Sequence, residues 1–518
     1  MEYLHLFKTK TEHDSFYGGN KYKEPWLAYT RDNTLVTGNK SYDYYNRNEY
    51  LTLSALDNGE ITITIPDVID QNYATSLSYS KDKSNWTETV VDNTEQTITI
   101  PVSNGDDVYL KGVAKAWCNT DAGFGAYIDS SANINASGNI MSLLYGDNFK
   151  DKTTFSKGSN YVFGLLFLNN THLINAENLI LPATTLVDGC YSSMFQGCSS
   201  LTTAPELPAT TLANGCYDSM FAGCSSLTAA PELPATTLAS SCYYGMFSGC
   251  SSLTTAPELP ATELADSCYR YMFQGCTSLT TAPELPATTL ANGCYRAMFY
   301  GCTSLTTAPE LPATILAMHC YNSMFSDCTS LTTAPELPAT ELADSCYESM
   351  FQGCSSLTTA PELPATELAD SCYCYMFQGC SSLTTAPELP ATTLAQTCYN
   401  SMFSDCTSLT TAPELPATTL VTYCYNSMFW GCTSLTTSPE LPATTLADSC
   451  YYYMFYGCEK LNSITMLATN ISASSCLTDW VNGVASTGTF TKAASMTSLP
   501  SGASGIPSGW TVVDYGAA

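Results

Sequence analysis

The chain has 518 residues and 25 cysteines, with 18 Lys and Arg against 47 Asp and Glu for a net charge of −29. A surface this acidic repels phosphate backbones, so nucleic acid is excluded as the expected partner. No stretch reaches the roughly 18 uninterrupted apolar residues of a membrane span, and residues 1–19 show neither the apolar core nor the cleavage site of a secretory leader, so neither membrane insertion nor signal-driven export is expected.

In chain order, residues 1–45 read as an N-terminal attachment segment. Residues 46–146 alternate in strand fashion at Glu60–Pro66, Ser76–Ser80 and Gln96–Pro101, with turn signals at Asp57-Asn58-Gly59 and Ser103-Asn104-Gly105. This predicts a small all-β, sandwich-like domain. Residues 147–189 read as a linker and an N-terminal cap repeat. There Phe167 and Leu173 keep the spacing of Phe195 and Leu201, but the step from Leu173 to Pro182 is nine residues where Leu201 to Pro208 is seven.

From Cys190 to Cys476 a 26-residue unit recurs about eleven times: C-Y-x-x-M-F-x-[G/D]-C-[S/T]-S-L-T-T-A-P-E-L-P-A-T-x-L-A-x-x. Such units bury their apolar faces only against neighbouring copies, which predicts a solenoid. Cys268, Met272 and Phe273 share one face of a predicted short helical turn, capped at its start by Ser267 and ended by a left-handed Gly275, with Asp327 and Asp405 in that Gly's place in two copies. The Thr-Thr-Ala-Pro-Glu-Leu stretch is the predicted strand, kept to two to four residues because Pro283 and its copies lack an amide donor. Stacked at ~4.8 Å, the copies would span about 55 Å. Residues 477–518, with Trp480 and Trp510, read as a C-terminal cap.

Both cysteine series follow the repeat, no CxxC pair occurs, and the four histidines (His5, His13, His172, His319) stand in no recurring relation to them. The thiols therefore read as small, reduced core residues rather than zinc ligands or disulfides. Cys374 falls off the register and is expected to be exposed. No cofactor and no catalytic constellation is expected, so the chain reads as a binding protein and not an enzyme.

Among near-identical copies, the varying positions carry the information: the two residues after Tyr, the one after Phe, the T-x-L site and the residues before each first Cys. On the turn they place Tyr244, Arg270, Tyr271, Arg296, Tyr300, Glu348, Tyr375, Trp430, Tyr452, Tyr453 and Tyr456, a mixture suited to stacking on sugars or to protein contacts. A second candidate surface, for divalent cations or simply for solvent, is the ladder Glu206, Glu232, Glu258, Glu284, Glu310, Glu336, Glu362, Glu388, Glu414 and Glu440. The Tyr after each first Cys, Tyr191 to Tyr451, reads as a ladder at the core's edge rather than a stacking platform.

The recurring M-F-x-G-C-[S/T]-S-L-T-T and L-P-A-T-x-L-A segments resemble the BspA-like leucine-rich repeats, over about residues 161–510. The resemblance implies a right-handed leucine-rich-repeat solenoid and surface adhesion, as in gut anaerobes and in virion proteins of their phages. Residues 2–26 resemble the leader of phage structural proteins. The resemblance implies a virion fibre or appendage: its N-terminal region would contact other virion proteins, its repeats would bind a host surface glycan or protein, and it would assemble as a trimer or dimer. The alternative is a bacterial cell-surface adhesin for host matrix protein or glycan.

Overall fold

The computed structural model describes residues 48–516, apart from 71 and 120–123, together with the backbone of three short strands between residues 27 and 43. The chain divides into two units, one holding residues up to 166 with 170–184 and 201–208, the other holding 167–169, 185–200 and everything from 209 onward. Most of the expected attachment segment, 1–45, lies outside the described residues. Within it Leu27–Tyr29 (β1), Thr34–Thr37 (β2) and Lys40–Asp43 (β3) form an antiparallel meander.

The rest of the first unit is almost entirely β. Gly59–Ile65 (β5) pairs with Gln96–Val102 (β8) and with Tyr127–Ser130 (β12) in one antiparallel sheet. Pro101 is tolerated because β8 is an edge strand of that sheet. A larger sheet contains Leu51–Ala55 (β4), Ala74–Ser80 (β6), Thr87–Val90 (β7), Asp107–Ala114 (β9) and Ile134–Asn139 (β13), which also takes up Leu173–Asn175 (β14) and Leu179–Ile180 (β15) in parallel. The strands and turns expected from alternation fall where they were read. Ile61, Ile63, Leu77, Val108, Leu110 and Ile128 fill the core around Trp117, whose indole N–H donates to the Leu143 carbonyl at 3.0 Å. The unit also holds the four-residue helix Ser142–Tyr145 and a 3-10 turn at Gly146–Asn148.

The second unit is a coil of 26-residue turns, and the short helices expected in each copy are absent. In their place stands a run of tight turns with a regular hydrogen-bond alternation. In the copy at Cys190, the amides of Cys190, Ser192, Met194, Gln196 and Cys198 donate three residues back, while those of Gly189, Tyr191, Ser193, Phe195 and Gly197 donate to carbonyls of the next copy (Asn214, Cys216, Asp218, Met220, Ala222) at 2.7–3.0 Å. A helix would consume all of these amides within itself; here alternate ones face along the coil and bond copy to copy.

This path requires a left-handed residue at every fourth position. In the copy at Cys268 these are Ser267 (φ 55°), Tyr271 (φ 59°) and Gly275 (φ 69°). Gly275 therefore ends the turn as expected, Asp327 and Asp405 (φ 59° and 58°) substitute for it, but Ser267 is a left-handed link and not a helix cap. Where the fourth residue is Ser and follows Asp or Asn, its hydroxyl donates to that side chain, as Ser323 does to Asn322 at 3.0 Å and Ser401 to Asn400 at 2.8 Å.

The turns point the two Cys, the Tyr, the Met and the Phe of each copy inward. The Phe rings stack from Phe167 to Phe455 at 5.4–5.8 Å with interplanar angles of 2–8°. The Tyr rings form a second, wholly buried ladder at 5.7–6.2 Å, which confirms them as core. Both spacings exceed the strand repeat expected from the sequence. The second Cys of each copy donates its thiol to the Phe carbonyl of the preceding copy, for example Cys302 to Phe273 at 3.1 Å. All 25 cysteines are buried and unbridged, including Cys374, which the register had suggested would be exposed. It is only 5% exposed.

The Thr-Thr-Ala-Pro stretch makes less sheet than expected. Interior copies share single bridges such as Thr281–Thr307 and Thr333–Thr359, because each Pro withholds a donor. Continuous parallel strands appear only at the end, in Thr437–Leu441 (β16), Ser463–Met466 (β17), Thr489–Lys492 (β18) and Thr511–Asp514 (β19). Pro439 lies in the one pair of these whose register slips, between Thr437 and Glu440. Trp480 occupies the Met position of the last turn and covers both ring ladders, 6.3 Å from Tyr451 and 6.1 Å from Phe455.

Tyr423→Gly, at φ 59°, is expected to raise the melting temperature and Gly301→Ala, at φ 70°, to lower it, each by the equivalent of about 1 kcal/mol in a calorimetric scan. Burial also pushes thiols such as Cys302 and Cys354 from an ordinary value of 9.0 up to about 12. A folded value raised above the unfolded one leaves stability intact below pH 9 and erodes it as pH climbs toward 12. Urea midpoints should therefore fall across that window, and a thiol reagent at pH 8 should find none of the ladder cysteines until the chain is unfolded.

Candidate binding surface

The path that sends Cys, Tyr, Met and Phe inward leaves the third, fourth and seventh residues of each copy, counted from the first Cys, as three columns that are half-buried or exposed in most copies and buried where the residue is small, as at Cys374, Ala297 and Ser326. All the variable turn residues picked out from the sequence fall in these three columns. They are less exposed than expected. Only Tyr300 and Trp430, both 37% exposed, stand clear; Tyr244, Arg270, Tyr271, Arg296, Glu348, Tyr375, Tyr452, Tyr453 and Tyr456 are half-buried. The cause is that neighbours along and across the columns lean on one another.

Two groups result. Trp430 stacks on Tyr456 of the next copy at 6.2 Å and 16°, Tyr456 meets Tyr453 edge-on at 5.3 Å, and Tyr452 lies 4.1 Å from Tyr453. Four rings thus make one continuous aromatic patch. In the second group Tyr244 meets Tyr271 edge-on at 5.5 Å, and the Arg270 guanidinium lies 4.9 Å from the Tyr271 ring and 5.6 Å from that of Tyr244. Arg296 follows Arg270 in the same column one copy on. Tyr300 has its hydroxyl held by Asp327, which raises its pKa. Farther along, Asn322 donates to the Glu348 carboxylate at 2.8 Å. Tyr375 stands apart from both groups, its pKa raised chiefly by partial burial and then by Cys374 and Glu348.

The variable T-x-L site and the residues before each first Cys also matter in one copy, where they are Ile315, Met318 and His319, none of them singled out from the sequence. His319 is a left-handed residue (φ 55°) whose pKa is lowered by burial and then by Arg296. Ile315 and Met318 are 59% and 48% exposed in the same copy. The available signal was the copy itself: Cys294–His319 fills its six variable positions with Arg296, Ala297, Tyr300, Ile315, Met318 and His319.

The Glu ladder is solvent-facing at every position from Glu232 to Glu440, with Glu206 half-buried. Among the described residues no three His, Cys, Asp or Glu side chains come together as a metal site. At the ladder's end Glu440 accepts a hydrogen bond from the Tyr515 hydroxyl at 3.1 Å.

A family model described as the BspA type leucine rich repeat region matches in six copies, over residues 167–280, 190–332, 240–384 and 345–478. No curated protein matches the chain.

Proposed function

The chain belongs to the BspA type leucine-rich repeat family, and from that premise we propose that it works by binding through the variable edge of its repeats and not by catalysis. The observation that carries this reading is the aromatic patch of Trp430, Tyr452, Tyr453 and Tyr456, four rings gathered on one edge of otherwise near-identical turns. Aromatic faces with hydroxyl rims suit sugar rings and protein contacts alike. A glycosidase would instead need two carboxylates converging on a cleft, whereas the Glu column is an open stripe.

The finer reading is a virion fibre or appendage of a phage, attached through its N-terminal region, assembled as a trimer or dimer, and adhering to a host-cell surface through the repeats. We read the coil as right-handed and the two N-terminal sheets as a sandwich. The family match equally supports a bacterial surface adhesin for host glycan or matrix protein.

The aromatic edge is tested by Trp430→Ala and Tyr300→Ala on glycan and matrix-protein arrays. Loss of binding by about tenfold or more in the Trp430 variant is expected, and unchanged binding in both variants would remove the reading. The virion reading is tested separately: mass spectrometry of purified particles should find the chain, and its absence would favour the adhesin.

A further inference from the structure

We propose that Arg270 and Arg296 form a subsite for the carboxylate of an acidic sugar residue, a reading that rests on the binding edge proposed above. Between residues 161 and 476 the chain has only three basic residues among 24 acidic ones, and two of the three stand in the same column of consecutive copies. The two copies are joined beside them, the amide of Tyr271, which follows Arg270, donating to the Arg296 carbonyl at 3.0 Å.

Despite the acidic surroundings, neither guanidinium has a carboxylate partner among the described residues, where the ion pairs all involve lysines elsewhere. Glu348 is engaged by Asn322 instead. Arg270 Nη2 reaches only the Tyr271 hydroxyl, at 3.3 Å, and its Nε is buried without a partner. His319 Nδ1, in the copy that carries Arg296, is likewise buried and unpaired. Two guanidinium groups in one column of consecutive copies, both without an acid partner, are matched by a planar, bidentate acceptor.

A carboxylate fits this demand better than a phosphate, because the second negative charge of a phosphate would meet the repulsion of the surrounding acidic surface. The flanking Tyr244 and Tyr271 rings and the exposed Tyr300 provide faces for the C–H bonds of a pyranose.

The test uses the full chain and calorimetric titration with 3′-sialyllactose, its methyl ester, lactose, a glucuronate-terminated disaccharide, inorganic phosphate and a glutamate-rich peptide. The acidic sugars are expected to bind about tenfold or more tighter than the ester and lactose. Arg270→Ala and Arg296→Ala should each remove most of that difference between acid and ester. Arg270→Lys, which keeps the charge and the fold but not the fork, should restore only part of it.

Equal affinity for acid and ester, undiminished binding by the double Ala variant, or preferential binding of phosphate or the peptide at the arginines would overturn the proposal. If neutral sugars still bind in a Trp430-dependent way, only this subsite falls. If wild-type chain binds neither carbohydrate nor matrix protein, the binding edge falls with it.

Discussion

In each copy of the repeat, the amides between the residue before the first Cys and the residue before the second are divided between two jobs. One set closes tight turns three residues back; the alternating set reaches carbonyls of the next copy. Because only alternate amides are spent locally, the backbone cannot be a helix, and it must reset through a left-handed residue at every fourth position. That rhythm decides which side chains face inward and which remain on the edge. The ring ladders, the thiol ladder and the variable columns are consequences of it.

The energetic balance of a copy is correspondingly mixed. A non-glycine residue in the left-handed region costs on the order of 1–2 kcal/mol, and most copies carry one or two of them. What offsets this is the set of inter-copy hydrogen bonds and the burial of Tyr, Met, Phe and Leu at each interface. Cysteine suits the position after the Gly because a thiol is small and apolar yet donates to the otherwise half-used Phe carbonyl; alanine or valine would fill the space without that bond.

Much of this was legible in the residues alone. The 26-residue period, the cysteines as packing groups, the buried Tyr series and the left-handed Gly275 all follow from composition and spacing. The backbone path was not legible, since Cys268, Met272 and Phe273 at i, i+4 and i+5 satisfy a helical face and a run of tight turns equally well. The strand segment was overestimated for a related reason: each Pro removes a rung that sequence pattern cannot weigh against its neighbours, and continuous strands appear only toward the end, where most of the paired segments lack it. The columns of the binding edge were readable from variation among copies. That Arg270 leans on two Tyr rings while lacking an acid partner was not, because one of the rings, Tyr244, is 26 residues away and the geometry that denies it an acid is set by the fold.

Interior copies bond to the turns before and after them through one geometry, and the stacking of Phe rings changes by only a few tenths of an ångström along the series. A whole unit can therefore be gained or lost between two interior ones with no new kind of junction to solve. Length is a free parameter of this architecture. A gene carrying near-identical units can slide by one copy during recombination and return a folded product in which the Trp430 patch and the Arg pair lie one step nearer or farther apart. The edge is in that sense a ruler with movable marks, able to retune the distance between two contacts without altering either.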